Sequence, residues 1–268
     1  GEMQKEKGVV LEEIKMVEDT PEDLVHDLLS EAYFDDHPLA RPILGTAQSV
    51  ANMTKKIMQD YMAKQYVPEN IVFAAAGGIE FEAFCDLVEK QTEHLKPSDK
   101  APVRYKAFEG ANPRFLTRAK PIEQAHLCLC MPGFCIDDPH LYALNVLNNA
   151  FGGSMSSRLF QQIREERGLA YDVYSHPSTY AQNGVFSIYA GVTAAKAAEV
   201  CELILQEMET LKKDGLSEEE FIRAKEQLKG NYILGLESTS ARMNAIGRSM
   251  VMTGKVKTAE ETLRQIED

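Results

Sequence analysis

Two apolar stretches, residues 171–175 and 184–192, lie close enough along the chain to pair as an antiparallel hairpin. The other long periodic segments around them read mostly as helix. A hairpin set among helices implies α+β layers rather than a doubly wound parallel sheet. A further apolar strand is expected at residues 124–131, closed by Pro132-Gly133, with a short buried strand at residues 71–76 ended by Gly77-Gly78.

The helical segments are set by their apolar spacing. Val9, Val10, Ile14, Val17, Leu24, Val25, Leu28 and Leu29 recur at three and four residues, so residues 4–34 read as helix. Asp19-Thr-Pro-Glu22 interrupts them: Thr20 suits an N-cap, Pro21 the first helical position, and acids the first turn. Residues 37–45, with two prolines, read as an irregular loop. Helices are expected at residues 46–66, 80–95, 139–150, 156–167, 194–213, 217–236 and from about 239. Gly168 suits a C-cap, and Gly215-Leu-Ser217 with Glu220 reads as a glycine stop followed by a capping box. Pro102 and Pro113, flanked by Pro97 and Pro121, with many charges and few apolar runs, mark a linker at residues 101–120.

Charge excludes one class of partner. The net charge of −12 gives no basic footprint for nucleic acid. No apolar run approaches the ~20 residues of a membrane span. The five cysteines show no framework spacing, which suits a reducing compartment, a cytoplasmic or organellar interior. Cys128 and Cys130 alternate in an apolar run and so share one face of a strand, a structural rather than a metal-binding arrangement.

Two stretches carry candidate chemistry. Glu6 and Glu13, in Glu6-Lys-Gly-Val-Val-Leu-Glu-Glu-Ile-Lys-Met, are seven apart, which leaves them about 20° out of line on one helix face. Spacing alone favours a solvated acidic face. Glu12 points about 100° away and is left out. Arg164 and Tyr171 belong to Phe151-Gly-Gly-Ser-Met-Ser-Ser-Arg-Leu-Phe-Gln-Gln-Ile-Arg-Glu-Glu-Arg-Gly-Leu-Ala-Tyr. Read alone, they are an exposed arginine in a charged run and a half-buried tyrosine. Gly152-Gly153 lacks the Gly-Lys-Ser/Thr of a phosphate loop. None of the six histidines is four residues from another, and His26 reads as packed or solvent-facing rather than as a ligand.

These two stretches, with His37-Pro-Leu-Ala-Arg-Pro-Ile-Leu-Gly and Asn70-Ile-Val-Phe-Ala-Ala-Ala-Gly-Gly, resemble the M16 zinc peptidases over nearly the whole chain. The resemblance implies two related α/β halves, each a sheet covered by helices. Residues 1–100 would be the later part of a truncated first domain and 121–268 the second, itself ending early. It implies Glu13 as a zinc ligand, Glu6 as a supporting carboxylate, and Arg164 and Tyr171 as residues that hold the substrate and its developing oxyanion.

The family's His-x-x-Glu-His, source of two further ligands and of the Glu that takes a proton from zinc-bound water, is not in the sequence. The chain is therefore expected to be an inactive part of a zinc endopeptidase. It should hold no zinc alone, act on peptide or protein substrates, and pair as a homodimer or with another M16 subunit. The alternatives are a non-catalytic partner subunit, which would have no need of Glu6 and Glu13, and a peptide-binding module.

Overall fold

The computed structural model describes residues 1–97, 108, 110 and 112–268. Of the expected linker, residues 101–107, 109 and 111 lie outside the described residues, and 112–120 form neither helix nor strand.

The described strands make one antiparallel sheet in the order β1-β3-β2, with β1 at Gln124–Gly133, β2 at Ala170–Thr179 and β3 at Gly184–Thr193. Register runs from Gln124 opposite Thr193 to Gly133 opposite Gly184, and Thr179 also faces Gly184 from the other side. Pro132 and Pro177 fall in the two edge strands, where every other N–H points away from the ladder; central β3 has no proline.

The sheet's two faces differ in chemistry. On one, Leu127, Leu129, Val173, Phe186, Ile188, Ala190 and Val192 join Phe151, Leu159, Ile163, Val200 and Ile204 in the main core. Helix α6 (Leu141–Phe151) and helix α7 (Ala197–Asp214) cover this face. Burying each large side chain there contributes about 1.5–3 kcal/mol. The intervening residues, His126, Cys128, Cys130, Tyr174, His176, Ser187 and Tyr189, point the other way, so Cys128 and Cys130 do share a face.

Helix α2 (Pro21–Phe34) lies against that second face. Its C-terminal Tyr33 and Phe34 pack with Val185, Phe108, Cys130 and Tyr180. Helix α1 (Glu2–Asp19) packs on α2, and the break between them falls at Thr20. The Thr20 hydroxyl donates back to the Met16 carbonyl at 2.8 Å instead of capping α2. Lys120 reaches the Glu18 carbonyl, and Arg114 pairs with Asp35, tying the segment before β1 to both helices.

Between these parts run α3 (Ala47–Asn52), α4 (Lys55–Gln65) and α5 (Phe81–Thr92); α8 (Glu218–Gly235), α9 (Thr239–Thr253) and α10 (Ala259–Glu267) follow α7. The expected helix at 46–66 is thus split at Met53-Thr54, where Thr54 caps α4. Residues 71–76 are not a strand: Val72 and Phe73 are 37% and 50% exposed. Apolar sequence favours an extended strand only where a neighbour supplies ladder hydrogen bonds, and in the described sheet β1 and β2 both pair with β3. Among the described residues no helix is long and apolar enough to cross a membrane.

Candidate functional site

Arg164 stands on a π-helical turn, Phe160–Glu165, where a regular helix end was expected. The Glu166 amide donates to the Gln161 carbonyl at 2.9 Å and the Leu169 amide to the Ile163 carbonyl at 2.9 Å, wider loops than an α-helix makes. Two contacts hold the turn's inner side, Leu159 and Ile163, both fully buried. Gly168 closes it at φ 59°, a left-handed conformation that glycine adopts without strain, and its amide reaches the Arg164 carbonyl at 3.1 Å.

Two residues later the ladder slips. Ala170 faces Val192 and Asp172 faces Gly191, so Tyr171 is the extra residue of a β-bulge. A bulge breaks the strict in-out alternation and re-aims a side chain. Tyr171 is 75% exposed as a result.

The π-turn and the bulge bring the two residues together. The Arg164 guanidinium lies 6.0 Å from the Tyr171 ring centre and 4.8 Å from that of Phe160. Such an exposed cation–π contact is worth about 0.5–1 kcal/mol, enough to bias the pose of two free side chains. It engages the guanidinium through the ring faces. Arg164 makes no hydrogen bond or ion pair among the described residues, so its N–H donors are free for a ligand carbonyl or carboxylate.

Just before the π-turn the chain is tied to the start of α8. Arg158 donates from Nε to Glu220 Oε1 at 2.6 Å, and from Nη2 to Glu220 Oε2 at 2.7 Å and the Gly215 carbonyl at 2.9 Å. Hydrogen bonding from Arg158 holds the Glu220 carboxyl down at about 2. Glu220 Oε2 also accepts from the Ser217 amide at 2.8 Å, which completes the expected capping box of α8. The glycine loop has a packing reason for its glycine. A Cβ on Gly152 would sit 2.5 Å from Ser175 Oγ and 2.7 Å from its amide nitrogen. Glycine there lets the loop lie against β2, where its carbonyl accepts from the Ser175 amide at 3.0 Å.

Glu6 and Glu13 are both exposed on α1, while Glu12 pairs with Lys15 at 2.6 Å. Among the described residues, neither glutamate makes a hydrogen bond or ion pair with Arg164 or Tyr171. Among the described residues no three His, Cys, Asp or Glu side chains gather as a metal site.

One constellation was missed from the sequence. His26 is half-buried between α2 and the sheet, with Nε2 3.0 Å from the Tyr174 hydroxyl and Nδ1 3.6 Å from Cys128 Sγ. The Tyr174 hydroxyl donates to Glu22 Oε1 at 3.0 Å. The rings of Tyr174 and Tyr189 lie 4.9 Å apart, those of His26 and Tyr189 5.7 Å, and the Tyr189 hydroxyl meets His126 Nδ1 at 2.8 Å. The available signal was the polar parity of three neighbouring strands: His126-x-Cys128-x-Cys130, Tyr174-x-His176 and Ser187-x-Tyr189.

Burial pushes the His26 imidazole below its ordinary range, with His176 adding to the shift and Glu22 and Asp23 opposing it. Burial also pushes the Cys128 thiol up to about 12 and raises the Tyr174 and Tyr189 phenols. Below about pH 6.5 the unfolded chain takes up the proton first. Stability is therefore expected to fall as pH drops from about 6.5 to the lower folded value, then to level off. Urea midpoints measured between pH 7.5 and 5 check this: the slope should flatten in His26→Gln, and an equal slope in both proteins would refute it.

A family profile described as Peptidase M16 inactive domain matches residues 52–228. The Bacillus subtilis (strain 168) protein named "Uncharacterized zinc protease YmxG" is 43% identical over 269 residues, covering 99% of this chain and 64% of its own length. "Uncharacterized zinc protease Rv2782c" of Mycobacterium tuberculosis (strain ATCC 25618 / H37Rv) is 40% identical over 271 residues, covering 99% and 61%. The chain thus spans less than two thirds of the curated relatives it matches. In fold it resembles a protease from Helicobacter pylori (TM-score 0.88, 22% identity, 100% of this chain and 65% of the other). It also resembles a peptidase M16 inactive domain from Pseudomonas fluorescens (TM-score 0.86, 24% identity, 99% and 63%).

Proposed function

The chain belongs to the M16 peptidase family, and on that premise we propose that it is part of a zinc-dependent endopeptidase acting on extended peptides or proteins. The observation that carries the reading is the Arg164–Tyr171 contact: a bulge and a π-turn bring two side chains together with their polar ends unspent. The relatives' name, zinc protease, supports it.

The residues described here do not by themselves fit a zinc ion. Glu13 is a single exposed carboxylate, and zinc needs three protein ligands before it leaves a position open to water. Zinc is therefore assigned to the whole protein, with His-x-x-Glu-His outside these 268 residues, Glu13 as the third ligand and Glu6 supporting it. What this chain contributes is grip. The Arg164 guanidinium and the Tyr171 phenol hydrogen-bond the substrate backbone and stabilise negative charge building on the carbonyl oxygen.

Residues 1–100 are read as the later part of one M16 domain and 121–268 as a second, joined through 101–120. The protein is read as cytoplasmic, working as a homodimer or with another M16 subunit. A second reading, the non-catalytic subunit of such a pair, is favoured by the match to an inactive-domain family.

The test is cleavage of a fluorogenic peptide by the whole protein. A chelator should abolish cleavage and added zinc should restore it, while this chain alone should not cleave. Arg164→Ala and Tyr171→Phe should each lower kcat/KM by about ten- to a hundredfold. Cleavage by the whole protein that no chelator touches would overturn the reading. Chelator-sensitive cleavage by this chain alone would overturn the placement of the ligands outside it. Cleavage that arises only on mixing with a second M16 subunit selects the second reading.

A further inference from the structure

We propose that Cys128, His26, Tyr174 and Glu22 form a clasp that sets where α1 and α2 sit on the sheet, and through them where Glu13 stands relative to Tyr171. The clasp itself rests on geometry alone; its effect on cleavage rests on the peptidase reading above.

Hydrogen-bond accounting gives the chain a direction. The Tyr174 hydroxyl donates to the Glu22 carboxylate at 3.0 Å, so its oxygen is left to accept. His26 Nε2 then carries the hydrogen and donates to Tyr174 at 3.0 Å. Nδ1 is left bare and accepts from the Cys128 thiol at 3.6 Å. Thiol, imidazole, phenol and carboxylate thus each use one donor or acceptor in sequence, and a single tautomer satisfies all four groups. A second proton on His26 would sit on Nδ1 and face a sulfur that accepts only weakly. The ionisable groups around His26 are Glu22, Asp23 and Asp27 on α2, Cys128 on β1, Tyr174 and His176 on β2 and Tyr189 on β3.

The clasp has short arms on both sides. Glu22 and His26 stand in the first turns of α2, directly after the Thr20 break that ends α1. Tyr174 lies three residues beyond Tyr171 on the same strand. The far end of α2 has a separate anchor in Tyr33 and Phe34. Losing the clasp therefore loosens the start of α2 and the α1 packed on it, which Lys120 at the Glu18 carbonyl and the contact with α3 still hold, without unfolding the sheet. Tyr189, 2% exposed and held by His126, keeps the aromatic floor in place when a polar atom above it is removed.

Tyr174→Phe deletes one oxygen and leaves the ring stack. In this chain, amide exchange in α1 and the first turns of α2 should accelerate by about fivefold or more, with β3 unchanged. Exchange equal to the unmodified chain, or equally faster in β3, would overturn the clasp. His26→Gln, which keeps a donor and an acceptor, should restore much of the protection that His26→Leu loses; equal loss in both would also overturn it. In the whole protein, Tyr174→Phe should lower kcat by about tenfold with KM within about twofold, because the substrate grip is intact while the opposing element shifts. An unchanged kcat alongside faster exchange would refute the link to cleavage. A whole protein without chelator-sensitive cleavage would refute the peptidase reading instead, and the exchange result would then decide the clasp alone.

Discussion

Glu13→Gln in the whole protein is expected to lower kcat/KM for peptide cleavage by about a thousandfold or more, some 4 kcal/mol of transition-state stabilisation. The substitution keeps shape and removes charge, and a neutral amide oxygen is a poor replacement for a carboxylate ligand. Neighbouring substitutions make the test specific. Glu12→Gln, on the adjacent position about 100° round α1 and paired with Lys15, should leave cleavage unchanged. Glu6→Gln, two turns earlier on the Glu13 face, should cost about ten- to a hundredfold as a supporting group. Metal content measured on the same preparations gives a readout independent of rate: it should fall for Glu13→Gln and hold for Glu12→Gln. Unchanged cleavage and metal content in both Glu12→Gln and Glu13→Gln would mark α1 as merely a solvated acidic helix.

Ile163→Ala should destabilise the chain by about 4 kcal/mol, a large share of the ~5–15 kcal/mol that holds a typical domain. Ile163 has no exposed surface and sits in the main core with Phe151, Leu159 and Val173. Truncation removes its transfer energy and leaves a cavity that a sheet on one side and helices on the other cannot close. Ile163→Val should cost only about 1 kcal/mol. Urea denaturation reads both, and similar small losses for the two would mean that the π-turn is loosely packed. Arg164 follows Ile163 directly, so the alanine variant should also bind peptide more weakly than the valine variant.

Much of the fold was written in local pattern. The break at Thr20, the strand expected at 124–131 (which runs on through Pro132 to Gly133), the hairpin of β2 and β3, the glycine stop at 168 and the Ser217–Glu220 capping box each depend on a few adjacent residues whose preferences need no distant partner. The shared face of Cys128 and Cys130 followed from strand period alone. Residues 71–76 went the other way for the same reason in reverse: a strand needs a partner, and periodicity does not name one.

The site was only half legible. Motif resemblance named Glu6, Glu13, Arg164 and Tyr171, but nothing local revealed that Arg164 stands on a π-turn or that Tyr171 is the extra residue of a bulge. Both are register errors relative to regular structure, settled by how the buried Leu159, Ile163 and Val173 fit under the helices. His26 shows the limit most clearly. Its neighbours in sequence are ordinary helix residues, while its hydrogen-bond partners Tyr174 and Cys128 are 148 and 102 residues away. The sequence by itself determined most of the helices and their caps, the three strands that pair, which sheet residues face together and which side chains could do chemistry, because those follow from backbone preference and period. Only the tertiary structure decided which strands had partners, where regular geometry yielded to packing, and which polar groups met, because those depend on contacts between residues the chain order keeps far apart.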